Sequence, residues 1–209
     1  MYFSEVELLV VFCKNPKAVA VKTRLAASIG TQTAEAIYQK LCEHTQNTVL
    51  QWGGQVAVFH HPSISYPNPW EGLGKEQHLQ QGLDLGERMA QAFQWGFQQG
   101  YSKIVIIGTD LWRLQRQDLD AAFDALADHD VVWGPAQDGG YYLLGLSAPQ
   151  PDLFVDLPWS QSDLLEQSQK RIRGTKQFSL RWQNDIDILT DLWEEKDLVE
   201  LFKTHLPKN

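Results

Sequence analysis

The chain has 209 residues, 43% of them hydrophobic and 11% aromatic, and a formal net charge of −8. That length suits one sizeable α/β domain, residues 1–209, better than two small ones, and the apolar content can fill a core, which excludes a disordered chain. The acidic balance argues against general nucleic-acid binding, and no apolar run approaches the roughly eighteen residues that cross a bilayer.

The first five residues, Met1-Tyr2-Phe3-Ser4-Glu5, lack the basic start of a signal peptide and read instead as the approach to a first strand. Leu8-Leu9-Val10-Val11-Phe12 is short and continuously apolar, the pattern of a strand buried on both faces. Cys13 and Cys42 are too few for a disulfide framework and form no CxxC pair, so a reducing cytoplasm is expected. After a loop holding Pro16, Val21 to Ile29 reads as a helix stopped by Gly30. Thr31 can cap a second helix, with Ala34, Ile37, Leu41 and Thr48 along one side. Gln55 to His60 reads as a strand, and His61 to Lys75, rich in Pro and Gly, as an irregular loop carrying Trp70.

Asp84-Leu85-Gly86-Glu87 has the spacing of a capping box with aspartate in the lead position. Leu85, Met89, Phe93 and Phe97 then recur every four residues as a core-facing helical stripe, which Gly100 ends. A strand follows from Lys103, then a helix on Leu119, Ala122, Phe123 and Leu126, and a strand at Val131-Val132-Trp133. The glycine-rich turn Asp138-Gly139-Gly140 leads to a strand over Tyr141 to Leu146. Ser160 to Ile172 reads as a helix, Phe178 to Trp182 as a strand, and Asp187 to His205 as a last helix. This alternation predicts a mostly parallel sheet covered on both faces.

In open α/β sheets ligands bind beyond the carboxyl ends of the strands. Ile104 to Ile107 runs through Gly108-Thr109 to just such an end at Asp110, where a carboxylate either holds a divalent cation or caps the following turn. Asp185-Ile186-Asp187 places two carboxylates on one side of an extended segment, able to complete a metal site or, at Asp187, to cap a helix. Asp138-Gly139-Gly140 serves equally for close backbone approach to a ligand or for a hairpin turn. No acidic residue lies between Glu7 and Glu35, whereas Lys14, Lys17, Lys22 and Arg24 all do, a positive island suited to a small anion or to solvent. Lys22 and Arg24 open the predicted first helix, where cations and backbone amides together favour phosphate. No P-loop, GxGxxG, HExxH, paired Cys/His zinc spacing or GxSxG is present. Among the eight tryptophans, Trp133 falls in a strand and is expected in the core, whereas Trp70, Trp112 and Trp159 fall in loops and are candidates to stack on a ligand.

At these residues the chain resembles the small bacterial GT-A-like nucleotide-diphospho-sugar transferases catalogued as a domain of unknown function, of the glycosyltransferase or selenodomain-associated transferase type. The resemblance runs from about Leu8 to Leu192. It is carried by Lys22-Thr23-Arg24-Leu25, Leu85-Gly86-Glu87-Arg88-Met89, Gly108-Thr109-Asp110, Gly134-Pro135, Asp138-Gly139-Gly140-Tyr141-Tyr142, Pro158-Trp159-Ser160 and Asp185-Ile186-Asp187, in that order. It implies a three-layer α/β/α Rossmann-like GT-A fold with a mixed, mostly parallel sheet of about seven strands, and Mg2+ or Mn2+ as cofactor. It implies Asp110 as metal ligand assisted by Asp185 or Asp187, and Lys14, Lys22, Thr23, Arg24 and Arg88 as the nucleotide-phosphate contacts. Asp138 would orient the sugar or acceptor beside Gly139, Gly140 and Tyr141. Glycosyl transfer from a nucleotide-diphospho-sugar to an unknown small acceptor is the leading expectation. Nucleotidyl transfer from a nucleoside triphosphate to a phosphorylated small molecule, as in phospholactate guanylyltransferase, is the alternative. Two departures stand out. Ala18-Val19 replaces a usual Pro-Gly, and Leu111-Trp112-Arg113 replaces a usual Cys-Pro followed by an acidic residue. Arg113 leaves three readings open: a substitute for metal charge, a direct phosphate contact, or a lapsed site in a non-catalytic binding protein.

Overall fold

The computed structural model describes residues 6–74 and 76–207. The reading of Met1 to Glu5, and Lys75 at the end of the loop, lie outside the described residues. Seven strands form one sheet in the order β3-β2-β1-β4-β6-β5-β7. They are β1 (Glu7–Lys14), β2 (Gln55–His61), β3 (Glu76–Leu79), β4 (Lys103–Ile107), β5 (Val131–Pro135), β6 (Tyr141–Leu146) and β7 (Gln177–Ser179). Every described pairing is parallel except those of β6, which runs against both β4 and β5. The mixed, mostly parallel seven-stranded sheet is therefore as expected, with the reversal placed in the strand that follows the Asp138 turn.

Strand alternation builds a core on each face. Leu9, Val11 and Cys13 of β1 pack with Val105 and Ile107 of β4 on one face. Leu8, Val10 and Phe12 pack with Ile104 and Ile106 on the other. The first face is covered by α2 (Thr31–Trp52) and α4 (Arg116–Ala125), the second by α3 (Leu85–Gln98), a short 3-10 turn at Pro151–Phe154 and α5 (Leu164–Arg171). Trp133 is fully buried in the second core, with its indole N–H donating to Gln177 Oε1 at 2.9 Å. A third cluster joins α1 (Thr23–Ile29) and α2 to α6 (Leu189–Glu194) and α7 (Lys196–Phe202) through Leu25, Ile37, Leu41, Ile186, Leu192 and Leu198.

Several boundaries differ from the sequence reading. The first helix starts at Thr23 because Lys22 is left-handed, at φ 49°, and cannot continue it. Gly30, at φ 83°, both ends α1 and precedes α2, so Thr31 is the first residue of α2 instead of its cap. Strand β3 lies beyond the irregular loop as a polar edge strand with no apolar alternation to announce it; its Gln77 accepts from Asn68 and partners His60 Nε2 at 2.6 Å. The helix expected from Ser160 begins at Leu164, and the strand expected to reach Trp182 ends at Ser179. The last helix is broken at Glu195 (φ −100°, ψ 77°), whose carboxylate is turned inward to meet a cation described below. At α3 the sequence reading holds more closely. Asp84 Oδ1 accepts from Glu87 N at 2.8 Å, and Glu87 accepts in return from Leu83 N at 2.8 Å, one residue earlier than the expected box.

Gly86 sits in the first turn of α3 under the Trp159 ring, where an added Cβ would lie 2.1 Å from Cζ2. Gly86→Ala should therefore displace Trp159 and cost about 1–3 kcal/mol, typical of overpacking, measured by urea denaturation against the parent protein.

Candidate active site

The candidate residues meet because of how strand ends are ordered along one edge. β1 ends at Lys14, β4 runs out to Asp110, and the reversed β6 begins at Tyr141, so the turn carrying Asp138 lies on the same edge. After β7 the chain returns along that edge: Gln183 N donates to Pro135 O at 3.1 Å and Ile186 N to Asp110 O at 3.0 Å. With Ile186 buried beneath, Asp185 and Asp187 are held beside Asp110. A sequence-silent residue secures the other side. Tyr38 of α2 accepts through its hydroxyl from Lys14 N at 2.8 Å and from Thr109 Oγ1 at 3.3 Å, and donates to Lys14 O at 3.2 Å, so it ties the end of β1 to the segment that carries Asp110.

At the centre is an ion triad. Lys22 Nζ lies 2.6 Å from Asp110 Oδ1 and 3.0 Å from Asp187 Oδ1. The lysine side chain is 2% exposed, against 37% and 46% for the two carboxylates. Burial works against the charge on Lys22, but Asp110 and Asp187 overcome it and hold the ammonium above its ordinary pKa. Burial likewise opposes ionisation of Asp110, and the adjacent Lys22 overcomes it, keeping the carboxyl below its usual value. Asp185 has no such partner. Burial first, and then the negative charge of Asp110, push its carboxyl up to about 7.

Two adjoining hollows open beside this triad. One, of about 370 Å³, is walled by apolar groups including Phe12, Met89, Ile106 and Leu144, and reaches Arg88 and Gly108. The other, of about 430 Å³, is bounded by Lys22, Thr23, Arg24, Asp138, Gly140 and Asp187. Lys14, Tyr38, Leu85, Asp110, Tyr141 and Asp185 border both, so the two form a continuous cleft. A Cβ built on Gly108 would meet nothing within 4 Å, so packing does not require glycine there, and the bare backbone leaves the cleft floor open. Ser160 also borders both hollows in a left-handed conformation (φ 64°). The motif Pro158-Trp159-Ser160 carries part of the family resemblance, but it gave Ser160 no role, and the fold brings it to the same cleft as Asp110.

Several expected contacts are placed otherwise. Lys22 lines the cleft but spends its ammonium on carboxylates instead of presenting it to a phosphate. Arg113 does not border the cleft. Its Nε pairs with Glu195 at 2.7 Å and its Nη2 donates to Glu194 O at 3.2 Å, so it neither stands in for a metal's charge nor meets a phosphate in the cleft. Trp112 packs on His44 with ring centroids 4.9 Å apart, Trp159 covers Gly86, and neither borders the hollows. Trp70 is buried in the first core and borders a separate hollow of about 250 Å³ behind Tyr38. Val19 borders none of these hollows. In the glycine turn the two roles separate. Gly139 (φ 90°) packs so closely on the Ser162 backbone that a Cβ would fall 1.7 Å from its carbonyl oxygen, a structural demand. Gly140 faces the cleft, its N–H held by Asp138 Oδ1 at 2.9 Å.

Among the described residues no three His, Cys, Asp or Glu side chains converge as a ready-made metal site. The donor chemistry nonetheless suits a hard divalent cation. The second oxygens of Asp110 and Asp187, and both oxygens of Asp185, have no hydrogen-bond partner among the described residues. Hard oxygen donors of this kind suit Mg2+ or Mn2+.

The fold and the placement of this cleft define the class: an α/β protein with the architecture of nucleotide-diphospho-sugar and nucleotidyl transferases. The chain belongs to the family DUF2064, described as an uncharacterized protein conserved in bacteria, which matches residues 45–161. A structure from Desulfovibrio desulfuricans G20, provisionally described as a nucleotide-diphospho-sugar transferase, is similar at 27% identity. Its TM-score is 0.85, over 95% of this chain and 96% of that one. A CMP:2-keto-3-deoxy-manno-octonic acid synthetase complexed with CTP shares the fold at 10% identity and TM-score 0.60, over 94% and 99% of the two chains. Rv0371C of Mycobacterium tuberculosis H37Rv, in complex with manganese, shares it at 13% identity and TM-score 0.57, again over 94% and 99%. No curated protein matches the sequence. No helix among the described residues is long and apolar enough to cross a membrane.

Two outcomes follow from this geometry. Arg113→Ala should cost about 1–2 kcal/mol in denaturant melts by leaving the inward-turned Glu195 unpaired, discounted because the guanidinium is largely exposed. It should leave ligand affinity in the cleft unchanged by calorimetry. Asp185 has a folded pKa raised above its unfolded value of roughly 3.9, so its contribution to stability is present below that value and is lost as pH rises through about 7. In chelator, Asp185→Asn should be more stable than the parent at pH 8, by on the order of 1 kcal/mol after screening, with the difference vanishing towards pH 4.

Proposed function

We propose that this protein transfers a glycosyl group from a nucleotide-diphospho-sugar, with Mg2+ or Mn2+ held by Asp110 and assisted by Asp185 and Asp187. The observation that carries the reading is the position of the carboxylate cluster on the wall of a cleft that also presents phosphate-binding cations. When bound, the metal would supply a Lewis acid against which negative charge on a departing β-phosphate is stabilised.

The protein's own groups divide the remaining work. Lys14 and Arg24 have no carboxylate partner among the described residues and border the polar hollow, so they are the side chains free to meet phosphate oxygens. The Thr23 hydroxyl lies beside them. Arg88 donates through Nε to Gly82 O at 3.1 Å, which anchors it at the apolar hollow with its other N–H groups left for a ligand. Asp138, exposed and bonded through one oxygen to Gly140 N, has its second oxygen available to orient a sugar or acceptor hydroxyl. Gly140 and Tyr141 form the surface under that hydroxyl. The apolar wall excludes water from the neutral part of the ligand.

A second reading, nucleotidyl transfer to a phosphorylated small molecule with release of pyrophosphate, draws support from the number of cations. Lys14, Arg24 and Arg88 together suit a triphosphate as well as a diphosphate. Product identity separates the two: a nucleoside diphosphate with a glycosylated acceptor, or pyrophosphate with a nucleotidylated one.

Asp110→Asn should lower metal-dependent affinity for the donor about 100-fold, read by calorimetry over a panel of nucleotide-diphospho-sugars and nucleoside triphosphates with Mn2+. Circular dichroism on the same sample checks that the variant is folded. Equal affinity in parent and variant would remove Asp110 from the metal role.

A further inference from the structure

The triad has a consequence for how a cation enters. A lone lysine ammonium is compact and singly charged, and it is here pinned by two carboxylates with almost no solvent access. Its backbone is held left-handed at φ 49°, so the side chain enters the cluster directly from the start of α1. A divalent ion coming to the outer oxygens of Asp110 and Asp187 would share both carboxylates with that ammonium and would feel its repulsion across a few ångströms. An isolated metal ion therefore meets two carboxylates that a buried cation already engages. An anion lodged against Lys14 and Arg24 changes the balance, because it brings negative charge to the open side of the same carboxylates.

We propose that Lys22 is a tethered counter-cation that bars a free divalent ion from the carboxylate cluster and makes metal entry depend on an accompanying anionic ligand of the diphosphate class. This rests on the reading of the cluster as a metal site, and it deepens that reading by assigning an order: metal and diphosphate arrive together, not metal first. Lys22 is accordingly a positioning and gating residue and not a phosphate contact. Its charge fixes the carboxylates, and its place in the cluster sets the condition for occupancy.

The test uses Mn2+ alone and Mn2+ with inorganic pyrophosphate, with protein-bound Mn2+ separated from the free ion and its pyrophosphate complex by ultrafiltration and measured by atomic absorption, on the parent chain, Lys22→Met and Lys22→Arg. Lys22→Met has similar reach and no charge. The parent is expected to take up Mn2+ weakly alone and at least about tenfold more tightly with pyrophosphate. Lys22→Met is expected to bind Mn2+ alone at least about tenfold more tightly than the parent, with pyrophosphate adding little. Lys22→Arg, which keeps the charge, should behave as the parent does. If Lys22→Met does not fold by circular dichroism, Lys22→Gln, which is also uncharged but can still donate to one of the carboxylates, takes its place with the same expected result. A parent that binds Mn2+ alone as tightly as with pyrophosphate overturns the gate while leaving the metal site in place. No Mn2+ uptake by any form, with or without pyrophosphate, overturns the gate and the metal site together.

Discussion

An ammonium ion can be buried in a folded protein only where carboxylates or other acceptors come to meet it, and Lys22 imposes that requirement on three distant parts of this chain. The lysine precedes α1, Asp110 follows β4, and Asp187 follows β7, 165 residues beyond Lys22. The backbone bond from Ile186 N to Asp110 O and the buried Ile186 side chain make the same junction by different means. Replacing such ion pairs with apolar groups is often neutral or stabilising, so stability alone does not explain a triad whose carboxylates remain a third to a half exposed. Their exposure is what a cleft requires, and the lysine beneath keeps them ionised and fixed.

The residues legible in the sequence were those whose local pattern carried its own reason. Asp110 stood out because a run of β-branched residues ends in a carboxylate, and the strand-end rule for α/β sheets put it on the working edge. Asp185 and Asp187 were visible through their alternation about Ile186, and α3 through its cap and apolar stripe. The seven-stranded mixed sheet followed from the family resemblance and from β-α alternation. What stayed hidden depended on tertiary contact. Tyr38 reads as one more apolar position on α2, and its hydroxyl acquires meaning only where the ends of β1 and β4 converge. Strand β3 has no apolar alternation because Gln77 pairs with His60 and Asn68 while the place of an apolar residue against Phe59 and Trp95 is taken by His78. The last helix could not be seen to break, since nothing near Glu195 in sequence announces that Arg113 will draw its carboxylate in.

The segment that follows Asp110 shows how a residue type can mislead at a site. A tryptophan and an arginine beside a candidate metal carboxylate suggest stacking and phosphate binding, yet both point away from the cleft. Leu111 and Leu114 are buried in the first core, Trp112 rests on His44 of α2, and Arg113 crosses to the break between α6 and α7. Arg181, paired with the buried Asp118 at 2.8 Å, donates to the Arg113 carbonyl at 3.2 Å, so the chain leading from β7 towards Asp185 is tied to this same segment. A four-residue stretch thus ties together α2, the break between α6 and α7, and the chain that leads from β7 to Asp185 and Asp187. Its departure from the family pattern supports the site through Trp112 and Arg113, while Leu111 borders the apolar hollow.

The division of the cleft constrains what can lie where. The hollow walled by Phe12, Met89, Ile106 and Leu144 is mostly apolar, and beyond the reach of Lys14 and Arg88 it offers nothing to replace the hydration of a phosphate oxygen. The hollow bounded by Thr23, Arg24 and the carboxylates is the more polar of the two. The neutral portion of a nucleotide ligand suits the apolar one, and Lys14, Asp110 and Tyr141, which border both hollows, mark the line between them. The bond to be broken in a transfer reaction lies at the junction of charged and neutral parts of the donor. Asp110 and Asp185 border both hollows with Asp187 beside them, which is why the proposed reading rests on these carboxylates.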